Sequence, residues 1–497
     1  MDIYPDLITQ YSPPVLSRDD VLSTLRRWYQ GDLTDSPLKS LNHLSRGFQQ
    51  SGNGVADDVT VAILDHALAR LETEHNLYGL LLTKRFREGE KVLAVANELN
   101  ISESRLHEIQ RSAVERLTEL LQELEMEAYA EHCEALHQRL TLPYDETLVG
   151  LEDHLRALIP VLLDDESASI VAIEGISGVG KTALTSAIVQ NVIYHSTSWA
   201  NVACVNLRRK VFHLNGQLDV RQDVARTTGQ ILSQIGIQLF SALPEHHPSR
   251  ALISQLSPNR EELRLDVGQL VSHLQRYLKV NKCILIIEDL DELESIEPLL
   301  AALLQLVDPT KVILTSRKSF YDVSGVYHYQ LSQLSSNDAL ALLHAEAAAV
   351  HLHEVADADS AHLIPVFDIL GGNPLAIRFF VRQLQIYGLH EILDDLREAR
   401  GDAIVNLYHF LFGTVWEELP DAAQAVLFVL CQGDAAGITL GEIQKRCDLP
   451  YNEIRGAVKQ LVMLNLVDIQ GGFLERRYMI HNLTRTFVGT VAHLALA

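Results

Sequence analysis

A glycine-rich segment that can hold phosphate groups stands at residues 175–182, GISGVGKT. It fits the pattern G-x-x-x-x-G-K-[ST], and the apolar stretch 169–174 before it predicts a strand, while 181–193 after it predicts an amphipathic helix. Small residues let backbone N–H groups wrap a phosphate at the positive end of a helix. The residues expected to bind a nucleotide here are Gly175, Ser177, Gly178, Val179, Gly180, Lys181, Thr182 and Ala183.

Two side chains of this segment are expected to act on the phosphates directly. Lys181 can reach the β- and γ-phosphates as a point charge, and the Thr182 hydroxyl can bind the Mg²⁺ ion that bridges them. ATP or ADP with Mg²⁺ are therefore the expected cofactors. The alternative, an ordinary glycine-containing turn between a strand and a helix, does not explain why four fixed positions occur in the right context.

A second group of candidate residues follows another apolar stretch, 283–287. Apolar residues that run into carboxylates predict a buried parallel strand, which delivers its acids to the sheet edge where α/β folds bind ligands. We assign Glu288 to the metal, and either Asp289 or Asp291 to positioning the attacking water. The alternative is a buried strand that ends in a solvated acidic loop.

The following strand, predicted at 311–317, ends in Arg317. An arginine at that edge of the sheet could contact the γ-phosphate and report its presence. Lys181, Glu288, Asp289 and Arg317 are thus the candidate catalytic residues. Stretches at 202–207 and 327–331 predict two further strands, so that the expected core is a five-stranded parallel sheet.

The length and composition of the chain limit its domain number, its partners and its location. The chain has 497 residues, a size that predicts three or four domains. Its net charge of −24, from 41 basic and 65 acidic residues, provides no long-range attraction for nucleic acid. The five cysteines include no C-x-x-C pair, and neither a secretory signal nor an apolar run long enough to span a membrane is found, so a cytoplasmic location without membrane contact is expected.

Residues 1–141 predict an all-helical domain with a helix-turn-helix at about 78–122. A turn at Asn100 separates two helices, Ser102 caps the second, and its inward positions are Leu106, Ile109 and Ala113. Residues 94–105, AVANELNISESR, resemble the region-four class of sigma-factor-like helix-turn-helix domains, with asparagine where glycine is usual in the turn.

This resemblance implies DNA contacts from Arg105, His107 and Arg111 in the major groove, with Lys84, Arg85 and Arg87 on phosphates. Between Tyr78 and Leu120, however, seven basic residues are balanced by seven acidic ones. A helical adaptor that docks another protein is therefore the competing interpretation.

The chain beyond the sheet predicts two further domains. The nucleotide-binding domain is expected at 142–334 and a helical region at 335–403, where the glycine pair 371–372 ends one helix and Pro374 begins the next. In the last domain, 404–497, three predicted helices precede a hairpin, an order that indicates a winged helix.

Six motifs in sequence order resemble the NB-ARC class of STAND P-loop ATPases, which includes plant immune receptors, apoptosome ATPases and bacterial regulators. They are 149–150 (VG), 175–182 (GISGVGKT), 284–293 (ILIIEDLDEL), 315–317 (TSR), 372–376 (GNPLA) and 480–482 (IHN). The resemblance extends from about Thr147 to the end of the sequence. This chain departs from the class at three positions. Leu151 stands where arginine is usual, and Glu288 and Asn482 stand where aspartate is usual.

The resemblance implies nucleotide contacts in addition to the glycine loop. Val149 and Gly150 would lie on the adenine side, Pro374 would pack on the nucleotide, and His481 would touch the β-phosphate of ADP. It also implies a switch that rests with ADP, becomes active with ATP and hydrolyses ATP slowly. No repeat period is present, so we expect a partner protein to supply sensing or effector activity through the N-terminal helical domain, with nucleotide-dependent homo-oligomerisation.

Three functions remain open from the sequence. The first is an ATPase switch in prokaryotic-type signalling or defence. The second is a transcription regulator that couples nucleotide state to DNA binding, and the third is a nucleotide-locked scaffold with negligible turnover.

Overall fold

The structure is a computed structural model, and the residues described are 13–50, 56–140, 148–195, 199–222, 224–241, 243, 247–256, 266–293, 295–320, 323–433, 437–472 and 475–496. By its internal contacts the chain divides into two compact units. Unit 1 takes Met1–Arg139, Ile193–Ser198 and Phe240–Ile253, and unit 2 takes Leu140–Val192, Trp199–Leu239 and Ser254–Ala497. The bounds of the four domains expected from the sequence stay predictions.

Unit 1 is built from helices around one apolar core. The helices are α1 (Arg18–Trp28), α2 (Asn42–Gln50), α3 (Ala56–Glu74), α4 (Asn76–Leu82), α5 (Val92–Glu98) and α6 (Glu103–His137), with a 3₁₀ turn at Pro37–Ser40 and a π-helical turn at Thr83–Arg87.

The local features predicted around α5 and α6 are present. Asn100 has a φ of 54°, which asparagine tolerates better than most residues, and the Ser102 side chain accepts a hydrogen bond from the Arg105 N–H. The three positions expected to face inward are buried: Leu106, Ile109 and Ala113. The assignment to a DNA-binding class stays a prediction.

A buried carboxylate from α6 caps the amino end of α2. The Glu125 oxygens accept hydrogen bonds from the N–H groups of His43 (3.1 Å) and Leu44 (2.9 Å), which have no intrahelical partner. Glu125 is fully buried, and its carboxyl group lies at the positive end of the α2 dipole. One residue of α6 thus holds a separate helix 82 positions away in sequence.

Unit 2 contains the predicted five-stranded sheet, and every neighbouring pair of its strands is parallel. Its order is β2-β5-β6-β1-β7. In chain order, with the hairpin β3–β4 that lies outside this sheet, the strands are β1 (Ile170–Glu174), β2 (Asn201–Asn206), β3 (Lys210–Phe212), β4 (Leu218–Val220), β5 (Cys283–Glu288), β6 (Lys311–Ser316) and β7 (Val326–Gln330). Because β6 separates β1 from β5, the residue after β6 lies between the glycine loop and the acidic residues.

The helices of the α/β part are α7 (Glu152–Leu163), α8 (Lys181–His195), α9 (Thr228–Ser241), α10 (Val267–Val280) and α11 (Glu297–Leu306). Helix α8 follows the glycine loop as predicted. Strands β1, β5 and β6 are buried at every position, which explains why β1 and β5 are apolar up to their last residue instead of alternating with polar residues. The β3–β4 hairpin was not predicted.

A helical region follows the sheet and shares one apolar core with the last part of the chain. Its helices are α12 (Ser336–Ala349), α13 (His353–Ala356), α14 (Ser360–Leu370), α15 (Pro374–Gln383), α16 (Leu389–Glu398), α17 (Asp402–Tyr408), α18 (Thr414–Glu418), α19 (Asp421–Cys431), α20 (Leu440–Arg446), α21 (Tyr451–Met463) and α22 (Asn482–Leu496). A π-helical turn at His409–Gly413 joins α17 to α18. Pro374 is the first residue of α15, as expected, and the Asn373 side chain caps that helix by accepting from the Ala376 N–H.

The predicted hairpin near the end of the sequence belongs to a small antiparallel sheet. Its strands are β8 (Ile438–Thr439), β9 (Asp468–Gly471) and β10 (Arg476–Met479), in the order β8-β10-β9. The winged-helix assignment stays a prediction. Within the ranges described above, no helix is both long enough and apolar enough to cross a membrane.

Replacing Glu125 with alanine should destabilise unit 1 by about 2–4 kcal/mol, because two buried N–H groups lose their acceptor. Urea denaturation followed by circular dichroism measures the change. Glu131→Ala, on an exposed position of the same helix, is the control and should shift the transition by less than about 0.5 kcal/mol. Equal effects of the two substitutions would show that the α2 contact contributes nothing.

Candidate nucleotide-binding site

A cavity of about 660 Å³ opens at the carboxyl edge of the sheet in unit 2. Most of the predicted site residues line it together: Val149, Ser177, Gly178, Val179, Gly180, Lys181, Thr182, Ala183, Glu288, Asp289, Arg317 and Pro374. Its walls carry six cationic side chains, Lys181, Arg208, Lys210, Arg221, Arg317 and Arg378, against three acids, Glu288, Asp289 and Glu292. A positive cavity in a chain of net charge −24 is suited to an anionic ligand.

The backbone of the glycine loop takes conformations that favour glycine. Gly178 has a φ of 76° and Gly180 a φ of 108°. A Cβ at Gly178 would lie 2.8 Å from the Asn373 side-chain oxygen and 2.9 Å from the Leu375 Cβ, whereas a Cβ at Gly180 would meet no atom within 4 Å. Gly178 is therefore required both for its φ and for the close approach of the α15 segment.

Lys181 is buried at the first position of α8. Its Nζ donates hydrogen bonds to the carbonyl oxygens of Gly175 (2.7 Å) and Ile176 (3.0 Å). Burial lowers the pKa of Lys181 to about 8, and the nearby carboxylates of Asp289 and Asp291 oppose that shift. A phosphate group beside the amine would favour its charged form.

Glu288 is fully buried at the end of β5. Its Oε2 accepts a hydrogen bond from the Asn206 side chain (2.9 Å), while its Oε1 makes no hydrogen bond of standard geometry within the described part of the chain. Burial, and next the charge of Asp289, raise the pKa of Glu288 to about 7, against the influence of Arg208, the Thr182 hydroxyl and Asn206. A buried carboxylate oxygen beside a hydroxyl is the kind of oxygen donor set that Mg²⁺ prefers, so the residues present fit this ion.

Asp289 is held by a cation that the sequence analysis did not identify. The Arg208 Nε donates to its Oδ2 at 2.7 Å, and the Arg208 Nη2 donates to the Thr182 Oγ1 at 3.2 Å. Asp289 adopts a left-handed backbone conformation with a φ of 60°. Despite its burial, the charges of Arg208 and then Lys181 hold the pKa of Asp289 below its usual value.

Asp291 serves the turn after β6 rather than the cavity. Its carboxylate accepts hydrogen bonds from the N–H groups of Arg317 (2.7 Å) and Lys318 (3.1 Å) and from the Ser316 hydroxyl (3.0 Å). The Arg317 Nε lies 3.4 Å from the same carboxylate. Of the two carboxylates proposed for positioning water, only Asp289 lines the cavity.

The loop that precedes α15 contacts the glycine loop directly. The Asn373 side chain donates to the Ser177 carbonyl (3.0 Å), and the Leu375 N–H donates to the Gly178 carbonyl (3.3 Å). Pro374 lies between these two residues in the cavity wall. Apolar side chains complete this side of the cavity, among them Val149, Leu151, Leu334, Leu342 and Phe410.

Three predicted nucleotide contacts are not among the residues that line the cavity: Gly150, Gly175 and His481. A Cβ on Gly175 would lie 2.6 Å from the Leu331 carbonyl oxygen, and one on Gly150 would lie 3.0 Å from Leu334, so both glycines allow close packing. The His481 Nε2 lies 3.1 Å from the Asp468 carboxylate, on β9. The role of His481 as a β-phosphate contact stays a prediction.

The residues proposed to contact DNA lie in unit 1. Arg105, His107 and Arg111 are exposed on α6. Arg105 pairs with Glu108 at 2.7 Å, and Lys84 with Glu98 at 2.9 Å. These acidic neighbours offset the positive charge that phosphate contacts need.

Gly178→Ala should weaken nucleotide binding and destabilise the fold more than Gly180→Ala does. Both substitutions strain a left-handed residue by about 1–2 kcal/mol, but only Gly178→Ala adds overpacking, which costs about 1–3 kcal/mol more. Calorimetric titration with ADP and thermal melting measure the two effects. A larger loss at Gly180 would contradict the packing of the α15 segment on the loop.

Comparison with known proteins supports the interpretation of the α/β part. A model of the family described as Nephrocystin 3, N-terminal, matches residues 160–317, from within α7 to the residue after β6. Disease resistance protein RPS6 of Arabidopsis thaliana is 25% identical over 199 residues, which are 40% of this chain and 15% of RPS6. The chain thus spans a small part of the length of this relative.

Two solved structures are similar over most of the chain. The ORC2 protein of Aeropyrum pernix, solved as ADPNP and ADP complexes, is 15% identical with a TM-score of 0.38, over 72% of this chain and 98% of that one. The STAND protein PH0952 of Pyrococcus horikoshii, which has a tetratricopeptide repeat sensor, is 18% identical with a TM-score of 0.32, over 71% and 44% respectively. The parallel sheet and the glycine loop give the α/β part of unit 2 the arrangement of a P-loop nucleotide-binding domain, and the family match covers the same part of the chain.

Proposed function

We propose that this chain is a nucleotide-dependent molecular switch that rests with ADP, becomes active with ATP, and acts in signalling or defence. The observation that carries the proposal is the pair of hydrogen bonds from Asn373 and Leu375 to the glycine loop. Through them, the loop that would hold the phosphates also holds the start of α15, which is part of the helical core. A change at the phosphates can therefore alter how that core is held.

The polar groups of the cavity would divide the phosphate chemistry among them. Lys181 and the loop N–H groups would bind the β- and γ-phosphates, and Arg317, at the end of the intervening strand, would contact the γ-phosphate. Thr182 and Glu288 would hold Mg²⁺, which would neutralise charge that develops on the phosphates. Asp289 would orient the attacking water, since it lines the cavity directly after Glu288 and the charges of Arg208 and Lys181 hold its pKa below the usual value.

Slow ATP hydrolysis fits the geometry of the acidic residues. The Asp289 carboxylate accepts a hydrogen bond from Arg208 and would have to lose this bond before it could accept the proton of water. Slow turnover would set how long the active form lasts. A scaffold that binds nucleotide without turnover remains the alternative, and the variants below distinguish the two.

The defence role and the partners are proposals of the same kind. The name of RPS6, a disease resistance protein, supports a role in defence. We further propose that unit 1 docks a partner protein, that the chain forms nucleotide-dependent homo-oligomers, and that it works in the cytoplasm.

DNA binding through Arg105, His107 and Arg111 is the weaker candidate because of the acidic neighbours of these helices. A mobility shift that falls steeply with salt would favour DNA over protein.

Lys181→Ala should weaken ADP and ATP binding by about 2–5 kcal/mol, roughly thirty-fold or more, because the charge-assisted contacts to the phosphates are lost. Calorimetric titration measures the affinities. Lys279→Ala removes an exposed lysine from α10 and should leave both affinities unchanged. Tight binding by Lys181→Ala would contradict the proposed site.

Asp289→Asn should keep nucleotide binding while lowering ATP turnover by about 100-fold or more, as expected when a group that activates water is removed. Phosphate release over time is the measurement, with Lys181→Ala as the background. If the wild-type chain releases no more phosphate than Lys181→Ala, the scaffold interpretation replaces the ATPase switch.

A further inference from the structure

Arg208 lies in the cavity wall two residues after β2, and the function proposed above uses only its hydrogen bond to Asp289. Its guanidinium donates through Nε to the Asp289 Oδ2 (2.7 Å) and through Nη2 to the Thr182 Oγ1 (3.2 Å). One third of the side chain is exposed, on the cavity side, whereas the Asp289 side chain is 16% exposed. The arginine thus joins the glycine loop to the acidic end of β5.

The oxygens that Arg208 contacts belong to the region where a divalent cation would bind. The Thr182 hydroxyl would be the metal ligand supplied by the glycine loop, and Asp289 follows Glu288 directly at the end of β5. Through its two hydrogen bonds, the Arg208 guanidinium places positive charge beside the same oxygens. The guanidinium occupies one lone pair on each of these oxygens, and its positive charge repels a second cation placed beside them.

The backbone around Arg208 is fixed on one side by the site itself. The Arg208 N–H donates to the Asn206 side-chain oxygen (2.9 Å), and the Asn206 side-chain nitrogen donates to the Glu288 Oε2 (2.9 Å). Residues 206 and 208 therefore stay beside the acidic end of β5 wherever the guanidinium points.

The backbone is fixed on the other side by the β3–β4 hairpin. The Lys210 Nζ donates to the Thr414 hydroxyl (3.0 Å), and the Phe212 ring stacks on that of Phe410 with centroids 5.7 Å apart. The Asn406 side chain donates to the Gly216 carbonyl at the tip of the hairpin (2.9 Å). With both flanks held, the long side chain of Arg208 is the part that can move, and the cavity is the space into which it can move.

We propose that Arg208 is a built-in cation that competes with Mg²⁺ for the end of β5 and transfers to the phosphate chain when the metal binds. In the first arrangement it neutralises Asp289 and holds the Thr182 hydroxyl. In the second, bound Mg²⁺ would neutralise Asp289 in place of Arg208, and the released guanidinium would pair with the phosphates. Arg208 is thus a positioning residue that sets how much Mg²⁺ the site requires. The inference rests on the proposed nucleotide-binding function.

The test is the Mg²⁺ dependence of nucleotide binding by the full chain, measured with ADP by calorimetry from EDTA to saturating Mg²⁺. Arg208→Gln removes the charge and should lower the Mg²⁺ concentration that half-saturates the binding enhancement by about ten-fold. Thermal melting gives a second readout, because Mg²⁺ alone should stabilise Arg208→Gln more than the wild type.

Arg226→Gln is the matched control, since it removes one positive charge from an exposed position before α9 and should leave the Mg²⁺ requirement unchanged. Arg208→Lys keeps the charge but loses the two-pronged contact, so its requirement should fall by less than that of Arg208→Gln. If Arg208→Gln does not fold, Arg208→Lys alone tests the proposal, and a fall of more than about two-fold supports it.

An unchanged or increased Mg²⁺ requirement in the Arg208 variants would overturn this inference while leaving the proposed function intact. If the wild-type chain binds no ADP or ATP at any Mg²⁺ concentration, the proposed function fails and this inference fails with it. The two failures are therefore distinguishable.

Discussion

Three carboxylates lie largely out of water at the end of β5, and each must be balanced by positive charge or be neutralised. Asp291 is balanced by Arg317 and by two backbone N–H groups, and Asp289 by Arg208. Glu288 has no ion pair with a cation within the described residues, and its pKa rises to about 7. Glu288 is thus the one of these three carboxylates without a cation paired to it in the described part of the chain, and it lies beside the Thr182 hydroxyl.

The strand order accounts for the arrangement of these charges. Because β6 separates β1 from β5, Arg317 emerges between the glycine loop and the acidic residues and can pair with Asp291. Arg208 arrives from the other side, after the edge strand β2, and pairs with Asp289. The helical part of unit 2 closes the cavity through α15, whose first residues hydrogen-bond to the glycine loop.

Much of this could be predicted from the sequence, because the signals are local. The glycine spacing, the buried apolar strands and the proline at the start of α15 each reflect a short-range requirement, and the parallel sheet is confirmed. The contacts of Arg208 could not be predicted, because they depend on the unpredicted β3–β4 hairpin and on partners 26 and 81 residues away. The one local sign was a basic cluster, 208–210, directly after a predicted strand. His481 is the opposite case. The motif that contains it could be recognised in the sequence, but its contact with Asp468 in the structure could not be predicted.

The central claim is that the phosphates control how α15 is held against the glycine loop. Hydrogen exchange of the backbone amides at 372–384 measures this most directly, with ADP and then with a non-hydrolysable ATP analogue bound. The account predicts different protection of the Leu375 amide in the two states, because that amide donates to the Gly178 carbonyl. Identical protection throughout 372–384 with both nucleotides would contradict it.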